Sequence, residues 1–243
     1  CGIGALMDGQ GFLSLGTSGV LLAAKDEYAP APDSAVHTFC HAVPEKWYQM
    51  GVTLSATDSL NWLAANLGQS VKQLATSLTG RPNGPSPVLF LPYLSGERTP
   101  HNDSGARAIL TGMSHTTDNK VLCQAVMEGV GFALRDCLEA LKSTGTDLQA
   151  VFAIGGGSQS DFWLQTLANT LDMTLHLPQK GDFGAARGAA SLAMVGVSGQ
   201  PPSRVMVSPQ IQRSFVPQPD LVAAYESAYK RYTETYSALK DIS

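Results

Sequence analysis

The sequence predicts an α/β domain built on a mixed sheet. Short apolar runs, bounded by glycine, proline and hydroxylated residues, crowd the first third of the chain. Helical patterns then alternate with single strands. A hydrophobic content of 44% against 15% charge matches an ordinary globular core, and 243 residues suffice for one large domain or two small ones. No internal repeat or low-complexity tract interrupts the pattern.

Residues 1–8 are mostly small and apolar and read as the end of a helix, with Asp8-Gly9-Gln10-Gly11 as a turn. Residues 12–15 and 20–24 read as strands joined by Gly16-Thr17-Ser18-Gly19. That hairpin tip is small, hydroxylated and rich in backbone N–H. It can wrap terminal phosphates, the Thr17 hydroxyl donating, or serve as an ordinary turn. Residues 38–43 and 47–52 read as two further strands. Residues 54–67 read as a helix, with Leu60, Leu63, Ala64 and Leu67 on one face and Gly68 suited to its C-terminus. The polar stretch 69–87 reads as a surface excursion ahead of a core strand at 88–91.

Residues 95–103 form a loop dense in charge. It reads either as a site or as a solvated loop held by a Glu97–Arg98 or Asp103–Arg107 contact. Residues 108–113 suit a short strand, and Asn119 to Lys142 a long helix with a broad apolar face. Gly129 and Gly131 weaken that helix and make sense if something packs closely there. Glu128 beside them is either a satisfied buried carboxylate or a surface charge.

Residues 151–154 read as a buried strand that runs into Gly155-Gly156-Gly157 and then a helix. Without Cβ atoms, such a turn lets a flat ligand lie on backbone, and the helix-start N–H groups can face an anion. A tight ligand-free turn accounts for the same residues. Ser158 or Ser160 can cap the helix. A strand at 173–177, a loop at 178–183 and a helix from Gly184 to about Met194 follow, the helix's small residues suiting close packing against a strand. Residues 199–209 are irregular. Tyr225, Tyr229, Tyr232 and Tyr236 form a helical aromatic stripe suited to packing on this domain or on another.

A net charge of −4 offers no footprint for nucleic acid or anionic lipid, and no apolar run approaches a membrane span. Nothing at the start resembles a signal peptide, and a start at Cys1 reads as a piece of something longer. Cys1, Cys40, Cys123 and Cys137, with no CxxC, read as reduced thiols of a cytoplasmic protein. His37 and His41 share a strand face from which Cys40 points away, so no metal ligands are assigned. A dinucleotide fingerprint fails because residue 160 is Ser and the glycines lie outside an opening βαβ unit.

Four ordered motifs occur together: residues 13–19 (LSLGTSG), 90–101 (FLPYLSGERTPH), 125–131 (AVMEGVG) and 155–160 (GGGSQS). From about Gly2 to Gly196 the chain resembles the C-terminal half of FGGY-type carbohydrate kinases, and through residues 37–62 the xylulose kinases among them. The resemblance implies a ribonuclease H-like (actin-like ATPase) fold, a mixed sheet flanked by helices. Residues 1–198 would be the nucleotide-binding domain and 199–243 an extension whose helix packs on it, with the sugar-binding N-terminal domain absent. It implies ATP-dependent phosphorylation of D-xylulose to D-xylulose 5-phosphate, with Mg²⁺ bridging the phosphates and its carboxylate partners mostly outside this chain.

By the same resemblance Gly16 and Thr17 meet the terminal phosphates. Gly155, Gly156 and Gly157 lie under adenine and ribose, Ser160 is near the base, and Thr116 approaches the nucleotide. Family members are often dimers. Val121 stands where the family's second signature has a polar residue. The family's catalytic aspartate lies just ahead of the position equivalent to Cys1, and none of Asp8, Asp58, Asp103 or Asp161 replaces it by motif. The chain alone is therefore expected to be inactive. A non-catalytic actin-like nucleotide-binding module, or a kinase of another pentulose or polyol, stands as the alternative.

Overall fold

The computed structural model describes residues 1–179 and 184–241. Four strands open the chain: β1 (Gly11–Leu15), β2 (Gly19–Lys25), β3 (His37–Cys40) and β4 (Trp47–Thr53). A separate antiparallel ribbon joins β5 (Leu89–Leu91) to β6 (Ile109–Thr111), and β7 (Ala150–Ile154), β8 (Thr174–Pro178) and β9 (Ile211–Phe215) follow. The main sheet has seven strands in the order β3-β4-β2-β1-β7-β8-β9. β1, β7 and β8 run parallel, and every other pairing in it is antiparallel, so the sheet is mixed as expected. Burial alternates along β1, with Leu13 and Leu15 facing the core, which is the period-2 pattern of a covered face.

The helices are α1 (Thr57–Asn66), α2 (Val71–Ser77), α3 (Asn119–Lys142), α4 (Asp161–Leu171), α5 (Gly184–Ser198), α6 (Pro202–Val205) and α7 (Pro219–Leu239). α3 has the predicted bounds, and the Asp118 side chain caps it by accepting from Val121 N–H at 2.8 Å. It packs flat on β4, where a Cβ at Gly51 would lie 2.5 Å from Cys137 Cβ. Gly129 does have a close neighbour, since a Cβ there would sit 2.2 Å from the Phe90 carbonyl oxygen. Gly131 meets Leu167 of α4 only at 3.4 Å, an ordinary contact. The tyrosine stripe packs on this domain: Tyr225 and Tyr232 are buried, and the Tyr232 and Tyr93 hydroxyls lie 2.7 Å apart.

Several expectations are corrected. Residues 1–8 form turns instead of a helix end, with Gly4 at φ +70°. The stretch 69–87 is not merely polar surface: it contains α2, started by a capping box between Ser70 and Gln73. α5 continues to Ser198; its alanines are exposed, Gly188 lies against the N-terminal segment, where a Cβ at Gly2 would fall 1.9 Å from the Gly184 carbonyl oxygen, and a Cβ at Gly184 would lie 3.8 Å from Ile154 of β7. Residues 199–209 are not irregular throughout, since they hold α6, and β9, which the sequence does not predict, forms the sheet edge. Within the expected loop at 178–183, residues 180–183 lie outside the described residues.

Glu128 is buried and satisfied. Its carboxylate accepts from Ser86 N–H (2.9 Å), Gln124 Nε2 (2.8 Å) and the Tyr225 hydroxyl (3.0 Å). Asp136, one face along α3, accepts from the Tyr229 hydroxyl at 2.6 Å. Burial outweighs these hydrogen bonds and raises both carboxyl pKa values to about 7. The folded protein then holds protons that the unfolded chain releases above its ordinary carboxyl range of about 4, so this contribution is lost as pH rises toward 7. His101, lowered by burial to about 4, acts in the opposite direction below its usual range. Between pH 5.5 and pH 8 the wild type is expected to lose more stability than Glu128→Gln, read from urea midpoints. Equal losses would place the titrating group elsewhere.

Candidate functional site

The parallel pairing of β1 with β7 sets Ser14 opposite Ile154, so both chains leave the sheet at the same end. One leads into Gly16 and the other into Gly155. This is the carboxyl end of parallel strands, where open α/β sheets form crevices. Gly155 has φ +90°, and a Cβ there would lie 2.7 Å from the Leu15 carbonyl oxygen. A Cβ at Gly157 would meet Leu15 Cβ at 2.8 Å and the Trp163 ring at 2.9 Å. Packing thus requires two of the three glycines. Gly156 is different: it is exposed, and a Cβ there would meet nothing within 4 Å.

Gly156 faces a cleft of about 800 Å³. Its floor is Gly156, Gly157 and the start of α4; its walls are Leu60 of α1 and Val71, Lys72 and Thr76 of α2. Ser160 lines it too and caps α4, accepting from Trp163 N–H at 3.3 Å. Ser158 is instead buried, donating to the Gly155 carbonyl at 2.7 Å. Trp163 is fixed by an Nε1–H bond of 3.0 Å to the Met127 carbonyl of α3. Asp161, at the rim, receives both arms of the Arg213 guanidinium from β9.

The hairpin tip adjoins the same crevice. The Gly16 carbonyl accepts from Thr57 N–H (2.9 Å) and from the Thr57 hydroxyl (2.8 Å). The Thr17 carbonyl accepts from the N–H groups of Ala56 (2.8 Å) and Asp58 (3.3 Å). In a trans peptide the N–H points opposite to the carbonyl, so the Thr17 and Ser18 amides turn away from α1. Among the described residues neither amide donates to protein, and the exposed Thr17 hydroxyl has no partner. The tip thus offers two amides and a hydroxyl without protein partners among the described residues.

Gly156, Gly157 and Ser160 therefore share one cleft, Thr57 links it to Gly16 and Thr17, and Gly155 supports the turn from behind. Thr116 does not line the cleft; it sits in the turn before α3, its hydroxyl 2.9 Å from that of Ser114. The sequence reading missed Thr57 and the whole α2 wall, although the Ser70-x-x-Gln73 spacing marks a helix start. The 95–103 loop is solvated only in part, with Gly96, Glu97 and Thr99 buried and Ser95, Arg98 and Asn102 exposed, and neither proposed ion contact forms. Glu97 is 3% exposed and accepts from the Thr53 hydroxyl (2.6 Å), Leu54 N–H (3.0 Å) and Arg98 N–H (2.7 Å), while burial raises its carboxyl pKa to about 7. Asp103 bonds the Gly105 and Ala106 amides, and Arg107 reaches only carbonyls. Among the described residues no group of three or more His, Cys, Asp or Glu could hold a metal ion, so they form no Mg²⁺ cage.

The sequence matches the FGGY family of carbohydrate kinases, C-terminal domain, over residues 11–197. It is 39% identical over 241 residues to the xylulose kinase of Escherichia coli strain K12, covering 98% of this chain and 50% of that protein. It superimposes with a TM-score of 0.97 at 47% identity on a "xyloylose kinase" from Brucella ovis, over the whole of this chain and 50% of that one. A ligand-bound xylulose kinase from Lactobacillus acidophilus superimposes with a TM-score of 0.86 at 26% identity, over 98% and 49%. The chain spans about half the length of the curated relatives it matches. Its mixed sheet flanked by helices is the actin-like ATPase architecture, and the chain belongs to the FGGY family of carbohydrate kinases as its C-terminal domain.

Proposed function

We propose that this chain is the nucleotide-binding half of a cytoplasmic xylulose kinase, which transfers the γ-phosphoryl group of ATP to D-xylulose and yields D-xylulose 5-phosphate. The observation that carries the reading is Gly156. Packing does not require a glycine there, yet a side chain would fill the floor of the 800 Å³ cleft. Adenine and ribose lie on Gly155–Gly157 with Ser160 near the base, against the apolar wall of Leu60 and Val71. The terminal phosphates meet the Thr17 and Ser18 amides and the Thr17 hydroxyl at the tip that begins with Gly16. Thr116 approaches the nucleotide from outside the cleft.

Phosphoryl transfer rests mainly on positioning and charge stabilisation, and these residues bind and orient the phosphates. Mg²⁺ belongs to the same reading as a companion of the phosphates; the residues described here supply no cage for it. The sugar site and the base that takes the proton from the sugar hydroxyl belong to the half of the relatives that this chain does not span. Residues 1–198 form the nucleotide domain in this proposal and 199–243 its extension, tied on by β9 and α7. Assembly as a homodimer belongs to the same reading.

Calorimetry with ATP and ADP in the presence of Mg²⁺ tests the site. Gly156→Asp is expected to weaken binding by roughly tenfold or more, since a carboxylate on the floor both fills space and repels phosphate. Its thermal midpoint should stay near wild type. Gly155→Ala should instead destabilise by about 1–3 kcal/mol, through its left-handed backbone and the Leu15 carbonyl. Retained nucleotide affinity in Gly156→Asp would remove the nucleotide from this turn.

The chain by itself is expected to form no xylulose 5-phosphate from xylulose and MgATP. Saturable turnover would show that the base lies within residues 1–243.

A further inference from the structure

We propose that Glu97 is a positioning residue for phosphate binding: its buried carboxylate holds the joint between β4 and α1, and that joint aims the amides of the hairpin tip. The inference rests on the phosphate role proposed above for Gly16 and Thr17.

The connections run through adjacent residues. Glu97 Oε2 accepts from the Thr53 hydroxyl, and Oε1 from Leu54 N–H, so both oxygens grip the last residue of β4 and its successor. Thr99 secures the strand from the same loop, its N–H donating to the Val52 carbonyl and its hydroxyl accepting from Val52 N–H, each at 3.0 Å. Two residues past Leu54, Ala56, Thr57 and Asp58 make the four hydrogen bonds that pull the Gly16 and Thr17 carbonyls inward. The tip amides face outward because of those bonds. The Gly16 N–H closes the tip on itself by donating to the Ser18 carbonyl at 3.1 Å, and the four bonds that turn the Gly16 and Thr17 carbonyls inward start from a segment held by the 95–103 loop.

The carboxylate is suited to this task. It has no cationic partner among the described salt bridges, and Arg98 offers it only a backbone N–H. An apolar side chain would fill the same space but leave the Leu54 and Arg98 amides and the Thr53 hydroxyl without this acceptor. Glutamine would not, because its oxygen can accept from both amides while its NH₂ donates to the Thr53 hydroxyl.

The test compares ATP, ADP and adenosine binding to the 243-residue chain by calorimetry with Mg²⁺. Glu97→Ala is expected to weaken ATP and ADP about tenfold, the scale of one lost hydrogen bond to a charged group, and to leave adenosine unchanged. Glu97→Gln should restore ATP affinity. If Glu97→Ala does not fold, Thr53→Val decides. It removes the hydroxyl bond to Glu97 Oε2, keeps the Leu54 N–H bond to Oε1, and should lower ATP affinity severalfold with adenosine unaffected. Equal losses for ATP and adenosine, or no loss for either, would overturn the positioning role while leaving the nucleotide site in place. Wild-type protein that binds ATP no more tightly than adenosine would overturn the phosphate role of the hairpin itself, and this proposal with it.

Discussion

Leu15 and Gly155 meet with no space for a side chain between them. A Cβ on Gly155 would lie 2.7 Å from the Leu15 carbonyl oxygen, and one on Gly157 2.8 Å from Leu15 Cβ. Real Cβ atoms do not approach so closely, so the crossing exists only because the sequence places glycine on one side of it. That crossing holds the ends of β1 and β7 together after their ladder stops. It brings a hairpin and a strand–helix turn, over a hundred residues apart in sequence, to opposite sides of one crevice. A ligand with a flat end and an anionic end can then touch both.

α3 fixes the far side of this arrangement. Met127 and Glu128 are consecutive on it but serve different neighbours. The Met127 carbonyl holds the Trp163 indole against the cleft, while the Glu128 carboxylate gathers Ser86, Gln124 and Tyr225. The next residue, Gly129, lets the β5 backbone cross the helix at closer range than any side chain allows. One turn of helix thus joins the cleft wall, the β5 ribbon and α7. Carboxylates are an expensive choice in such a place unless their acceptors are fully used, and here three donors meet Glu128. They specify how α7 docks more sharply than apolar contacts alone would, because a misplaced helix leaves a buried polar group unpaired.

The parts of this structure that were legible in sequence are those with dense local signals. α3 carries an aspartate cap and apolar periodicity over its whole length, and its bounds follow from them. The hairpin and the triple glycine are marked by residues that only particular turns need. β9 was not legible: Ile211 through Ser214 are all exposed, so no buried period distinguishes this edge strand from a loop. α2 was hidden by its polar composition, and the single buried position, Leu74, gives no stripe. Glu97 reads in sequence either as part of a site or as one half of a solvated contact with Arg98. Its burial depends on Thr53 and Leu54, more than forty positions earlier, which no local pattern reports. Gly156 could not be told from Gly155 and Gly157 until the packing around each was known.

The electrostatics of the crevice follow from how its donors are used. The first amides of α1 are spent on the Gly16 and Thr17 carbonyls, so the helix does not present its N-terminus directly to a ligand. Its dipole instead polarises the tip through those carbonyls, and the outward amides of Thr17 and Ser18 become better donors for it. At the cleft rim Asp161 would oppose an anion, but Arg213 pairs with both of its oxygens. Lys72 is the one basic side chain among the residues described as lining the cleft, and it makes no salt bridge among the described pairs. With Asp161 paired to Arg213, the residues described as lining the cleft carry one unpaired positive charge although the chain carries a net −4, and an exposed lysine acts over about a Debye length, roughly 8 Å at physiological salt. Amide donors at the tip, one cation on the wall and an apolar face between them suit a ligand with an anionic end and a flat end, and Asp161, the carboxylate among the residues described as lining the cleft, is already paired.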